Sequence, residues 1–322
     1  HDALENVIDE AIEKKCNLVV CFHPILFSGI KKITGKNYVE RAILKAIKND
    51  IAIYAVHTAL DNHKKGVNKI FCDALGLTNT KTLVPKANYI KKLVTYTISE
   101  NAEKLRNALF DAGAGKIGNY EDCSFNSQGI GTYMGNEHSN PEFGERFEFV
   151  ETPEIKIEVT FEKHLEAKIL KALFKNHVYE EVAYEIYELQ NQHQNIGLGM
   201  IGELENEMNE SDFLQFVKEK MQCESIRHST FLNKTIKKVA VLGGSGSFAI
   251  GQAKRLGANA FLTADLKYHQ FYEAENQILL ADIGHYESER YTKNYIVDFL
   301  IKKFPNFAII LSEENTNPVK YF

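Results

Sequence analysis

The sequence predicts an α/β protein: a discontinuous α/β domain interrupted by a ferredoxin-like (βαββαβ) α+β insert. Three observations predict it. At both ends of the chain, short and almost wholly apolar runs alternate with amphipathic helical patterns, as in strands buried on both faces of a parallel sheet. The middle of the chain reads β-α-β-β-α-β, the ferredoxin-like order. The length of 322 residues suits two or three domains. The expected boundaries are 1–88 for the N-terminal half of the α/β domain, 89–192 for the insert and 193–322 for the C-terminal half.

Leu4, Val7, Ile8, Ala11 and Ile12 recur at helical spacing and predict a helix over 2–14. The chain opens with that helix already under way, so a leading segment is expected before His1. The run Asn17 to Phe22 predicts a buried strand that stops at His23-Pro24. A helix at about 37–49 leads into a second buried strand, Ile51 to Val56, which stops at His57. In the middle, strands are expected over 89–98, 120–134, 147–162 and 182–189, with helices over 101–113 and 164–176. The polar stretch Gln190 to Asn195 reads as the linker back. Lys238 to Leu242, Ala260 to Thr263 and Ile278 to Asp282 are the remaining strands, and a long amphipathic helix is expected over 286–303.

Composition narrows the function. Lys and Arg number 38 against 43 Asp and Glu, a formal charge of −5, whereas a general nucleic-acid binder carries a basic face. Hydrophobic residues at 44% and charged residues at 25% exclude a largely disordered chain. No run approaches 18 apolar residues and no signal-peptide pattern opens the chain, so no membrane partner is expected. The five cysteines are scattered, without C-x-x-C. They argue against a disulfide framework and a structural zinc site and fit a reducing, cytoplasmic setting.

The residues that can carry chemistry sit just past the predicted strands. They are His23, the pair His57 and Asp61, and the pair His285 and Glu289. In open parallel sheets ligands bind outside the carboxyl ends of the strands, so these loops are expected to converge at one sheet edge. His285 and Glu289, four apart at a helix start, share a face. Each feature also has a plain structural explanation: a His-Pro loop start, or a surface i,i+4 pair. Together, histidines and carboxylates form a mixed N/O ligand set that suits Zn, Mn, Fe or Ni. The turn Gly243 to Ser247 is a possible phosphate cradle, though it matches neither glycine-rich nucleotide motif. His269, after another predicted strand, is a candidate general acid or base, or simply a loop histidine.

Several spaced motifs carry a family resemblance. Phe22-His23-Pro24-Ile25-Leu26-Phe27, His57-Thr58-Ala59-Leu60-Asp61-Asn62, Thr263 to His269, and Asp282 to Glu289 resemble the GTP cyclohydrolase 1 type 2 homologues. These are also called the NGG-interacting-factor-three-like family. Gly129-Ile130-Gly131-Thr132-Tyr133 is similar to the PII-like or copper-tolerance-A-like insert of the family's longer members. The resemblance implies a two-metal site with His23, Asp61, His285 and Glu289 as ligands, binding one or two divalent ions per chain. It also implies a homohexameric ring. The family pattern often has a second histidine directly before the first ligand, and here that place is Phe22, which cannot bind a metal.

The expected function is a metal-dependent hydrolase acting on a small-molecule substrate, with a nucleotide as the candidate. His57, His269 and Glu287 are the residues expected to move protons. The alternative is a metal- or nucleotide-binding regulatory or scaffold protein without turnover. A transcription-associated role follows only from the family's second name, and the net charge counts against direct nucleic-acid contact.

Overall fold

The structure is a computed structural model describing residues 1–322. In chain order it begins α1 (Glu5–Glu13), β1 (Leu18–Cys21), α2 (Tyr38–Lys48), β2 (Ala52–Ala55), α3 (His57–Asp61), α4 (Val67–Ala74) and β3 (Thr78–Lys86). It continues β4 (Ile90–Thr97), α5 (Ser99–Asp111), β5 (Ser124–Met134), β6 (Phe149–Glu162), α6 (Glu166–Asn176), β7 (Tyr184–Leu189) and β8 (His193–Asn209). It ends α7 (Glu210–Met221), β9 (Arg227–His228), β10 (Thr235–Ser245), α8 (Ile250–Arg255), β11 (Ala260–Ala264), β12 (Leu279–Asp282), α9 (His285–Glu289) and α10 (Thr292–Lys303). This is a mixed α/β fold with several sheets. No helix is long and apolar enough to cross a membrane. The chain divides into two compact units, His1–Pro85 with Asn195–Phe322, and Lys86–Gln194.

The first unit is built on a six-stranded sheet of order β3-β8-β10-β11-β12-β9. β10, β11 and β12 are parallel neighbours, and β8 and β9 pair antiparallel to β10 and β12. Side chains alternate along β10. Val239 and Val241 enter one core with Phe71 and Phe213, while Ala240 and Leu242 enter another with Ile250 and Phe261. Both faces are therefore covered, which explains why these strands read as continuous apolar runs.

β1 and β2 do not join that sheet. They form a parallel pair of their own, Leu18 opposite Ala52 through Cys21 opposite Ala55. The expectation of fully buried strands is corrected here. α1 and α2 cover one face through Ile8, Ala11 and Ala46, packed with Ile51 just before β2, but Leu18 and Tyr54 stay exposed on a two-stranded sheet. α2 carries its own stop and start signals: Asn37 caps it by accepting from the Glu40 N–H, and Lys45 and Lys48 sit at its negative end.

The polar stretch read as a linker is another correction, because β8 begins at His193 inside it. Asn, Gln and Gly are depleted in strands, so the pattern hides one. Gly197 shows why glycine stands there: a Cβ would lie 2.2 Å from the Val84 carbonyl oxygen. The single helix expected over 286–303 is instead α9 and α10. Between them Arg290 donates to the Met221 and Gln222 carbonyls, and Tyr291 donates to the Lys220 carbonyl. These side chains tie the bend to the end of α7.

After α10 the chain runs without helix or strand to Phe322. Glu10 on α1 holds this segment, accepting from the Ser312 hydroxyl and, at 2.9 Å, from the Glu313 N–H.

The second unit is a four-stranded antiparallel sheet of order β5-β6-β4-β7, with α5 and α6 against one face. Leu93, Ile157, Val159 and Phe161 from the sheet meet Leu105, Leu109, Ile169 and Leu173 from the helices.

Candidate metal centre

The site gathers residues from the ends of two different sheets, which corrects the expectation of one sheet edge. β1 ends at Cys21 and delivers Phe22 and His23, and β2 leads directly into α3, which carries His57 and Asp61. β11 is followed by Asp265, and β12 by Gly284, whose φ of +95° turns the chain into α9. α9 carries His285 and Glu289 one helical turn apart, so both face the same way.

Glu289 is the centre. Its side chain is only 4% exposed, and Oε2 lies 3.3 Å from His23 Nε2 and 3.4 Å from His285 Nε2. Each imidazole is aimed by a second carboxylate. His23 Nδ1 donates to Asp2 at 2.8 Å, and His285 Nδ1 donates to Asp265 at 2.7 Å. A carboxylate on one ring nitrogen fixes the tautomer and turns the other nitrogen inward, the usual support of a metal-binding histidine. Asp265 is held in turn by the Ser245 hydroxyl. Asp2 is held by the buried Thr316, whose hydroxyl donates to Oδ2 at 2.6 Å.

The electrostatics fit a cation between these groups. The His285 imidazole, hydrogen-bonded to Glu289 and Asp265, is raised to about 9. Burial would lower His23, but Asp2 and Glu289 outweigh it and raise it to about 9 as well. Burial works against the Glu289 charge, yet the two imidazoles hold its carboxyl below the usual range. Two protonated rings, 5.4 Å apart between centroids, thus share one buried carboxylate. A divalent ion supplies the same charge at one point. Space is reserved as well: at Gly244, a Cβ would lie 2.6 Å from Glu289 Oε1 and 3.2 Å from His285 Nε2. His23, His285 and Glu289 form a group able to hold a metal ion, with ligand atoms all within 4.8 Å of one another.

The remaining predicted residues divide. His57 faces His23 at 5.3 Å between ring centroids, and burial followed by the His23 charge lowers its pKa. Asp61 falls outside the metal-capable groups, but burial and the Glu289 charge raise its carboxyl to about 7. Glu287 lines a cavity of about 420 Å³ shared with His23, Arg227, His285 and Tyr321. It is buried and accepts from the Asn317 side chain at 2.9 Å. His269 is not brought to this group. It is exposed on a short 3-10 turn, with its ring against Tyr268 and Tyr272. In the glycine turn, the Gly243 and Gly244 N–H groups donate to Asn68 and Ser288 and are not available to a phosphate.

Sequence reasoning missed His1, Asp2, Asp265 and Thr316. Asp265 had a local signal, a carboxylate directly after a predicted strand. The others had none, since Thr316 meets Asp2 across 314 residues of sequence. The Thr316–Asp2–His23 relay makes a prediction. Thr316→Val is expected to weaken divalent-metal affinity roughly tenfold, as loss of an outer-shell partner does, and Thr316→Ser to restore it. Chelator competition on the folded variants measures both.

The chain matches Duf34/NIF3 (NGG1p interacting factor 3) over residues 1–318. It is 40% identical over 327 residues to a Bacillus subtilis (strain 168) protein named GTP cyclohydrolase 1 type 2 homolog, covering 99% of this chain and 87% of that protein. The crystal structure of a Bacillus cereus protein related to NIF3 superposes with a TM-score of 0.84 at 38% identity, over 100% of this chain and 87% of that one. A Staphylococcus aureus crystal structure superposes with a TM-score of 0.76 at 29% identity, over 100% and 86%. The chain belongs to the Duf34/NIF3 (NGG1p interacting factor 3) family.

Proposed function

We propose that this protein is a divalent-metal-dependent hydrolase of a small phosphorylated or nucleotide substrate. His23, His285 and Glu289 would hold the ion, with Asp61 joining them. The observation that carries the reading is the pair of imidazoles, each aimed by its own carboxylate, facing one buried oxygen of Glu289. The names of the curated relatives support a purine nucleotide such as GTP as the first substrate to test.

A divalent ion in such a site supplies Lewis acidity and makes water acidic enough to attack at neutral pH. The chain's own residues do the rest. Asp61, whose carboxyl is raised by burial and the Glu289 charge, would gain a compensating positive charge on joining the ion and serves as a ligand. His57 is held neutral beside His23 and offers a proton acceptor. Glu287, fixed by Asn317, and Arg227, paired with Asp282, place opposite charges on the cavity wall where a polar substrate can be oriented. His269 would serve only if substrate reached its exposed turn.

The reading also treats Lys86–Gln194 as a ferredoxin-like, PII-like insert in a discontinuous α/β domain. Its support is the strand order β5-β6-β4-β7 with two helices on one face.

Asp61→Asn is expected to lower turnover of GTP at limiting metal roughly 100-fold, one ligand's share of a typical site. Unchanged turnover sinks that role. A second reading, metal or nucleotide binding without turnover, is favoured by Phe22. Its buried ring lies 4.8 Å from His23 and 5.5 Å from His57, where the family pattern often has a ligand. Stoichiometric metal binding with no hydrolysis of any nucleotide would select that reading.

A further inference from the structure

We propose that His1 is a further ligand of the metal centre, giving the ion a third imidazole where Phe22 offers none. The inference rests on the reading of His23, His285 and Glu289 as a metal site.

Residue 1 is fixed at the tip of β1. Its carbonyl accepts both the Phe22 and the His23 N–H, each at 3.1 Å. The ring runs inward from there, 3% exposed, edge-on to His23 at 4.9 Å and against Phe22 at 5.5 Å. Nε2 lies 3.2 Å from Glu289 Oε2, the same oxygen that His23 and His285 face. Three imidazole nitrogens on one carboxylate oxygen exceed its two lone pairs. They suit a shared cation better, and three nitrogens with one oxygen form a familiar donor set for zinc and its first-row neighbours.

The other ring nitrogen differs from those of His23 and His285, which have carboxylate partners. His1 Nδ1 is buried with no hydrogen-bond partner. An unpaired buried polar atom is destabilising, so a histidine kept only for packing would be worse than a leucine. The case for His1 therefore rests on Nε2, which faces the oxygen that His23 and His285 face. Asp2, which forms a metal-capable group with His1 and His23, already uses one oxygen on His23 and the other on Thr316. Asp2 therefore orients the site, and His1 Nε2 is the donor beside it that faces Glu289.

The test uses zinc as probe and His1→Gln as the first variant, because the amide keeps a donor for Glu289 but is a poor ligand. X-ray absorption of the zinc-loaded wild type should count three imidazoles, and His1→Gln two. Chelator competition should show zinc binding weakened roughly 100-fold, one ligand's share of a typical structural site. The double variant His1→Gln, Phe22→His should return the third imidazole and most of the affinity. A folded His1→Gln protein with wild-type zinc affinity overturns the proposal and leaves His1 an ion-pair partner of Glu289. A folded double variant that regains no imidazole overturns the exchange with Phe22. A wild type that binds no zinc, manganese, iron or nickel overturns the underlying metal reading, a result distinct from either variant's.

Discussion

Glu289→Ala is expected to lower the affinity for a divalent ion by roughly 100- to 1,000-fold, since each ligand of a four-ligand site contributes about 2.5–4 kcal/mol. Glu289 is the group on which His23 and His285 converge, and it is almost wholly buried. Without it, the rings face each other across a gap with no negative charge between them. Their pKa values, now held at about 9 by Glu289 with Asp2 and Asp265, should fall substantially. The variant thus has two measurable signatures, weaker binding in chelator competition and imidazole resonances that titrate at lower pH. A variant that binds metal as wild type does would remove Glu289 from the site.

The second large effect is on pH. His23 and His285 are protonated at pH 7 in the metal-free protein, because both titrate near 9. A metal needs the neutral Nε2, so binding must release protons, approaching two per ion at pH 7 from these two rings alone. Affinity therefore rises with pH and falls with acid. Two released protons make it change roughly 10⁴-fold between pH 6 and pH 8, levelling off above 9. Calorimetry in two buffers of different ionisation enthalpy counts the protons directly. Binding with no proton release at pH 7 would contradict the electrostatic description of the site. In Glu289→Ala the release should shrink with the pKa values, which links the two predictions.

Much of this centre was visible in the sequence because its main residues stand at chain reversals. The His285–Glu289 pair follows Leu279–Asp282, whose apolar character is enforced by burial on both faces, and His23 follows the apolar run of β1. The i,i+4 spacing then fixes the relation of His285 to Glu289 without any tertiary knowledge. What was hidden is long-range. Asp2 and Thr316 become partners through the C-terminal segment, which Glu10 also holds, and no local pattern encodes that. β8 was hidden for a different reason. Its glycines serve close approach to neighbouring backbones, as at Gly197, and so imitate loop composition. β1 and β2 show the reverse error. Their apolar runs suggest full burial, but a two-stranded sheet has a second face that nothing in those runs could announce.

The most direct test of the central claim is anomalous X-ray diffraction from crystals of the protein purified without added metal or affinity tag, collected at the edges of zinc, iron, manganese and nickel. An anomalous peak is expected about 2.0–2.2 Å from His23 Nε2, His285 Nε2 and a Glu289 carboxylate oxygen, the bonding range for imidazole and carboxylate ligands of zinc. A featureless map at Glu289, persisting after soaking each ion in turn, would contradict the claim.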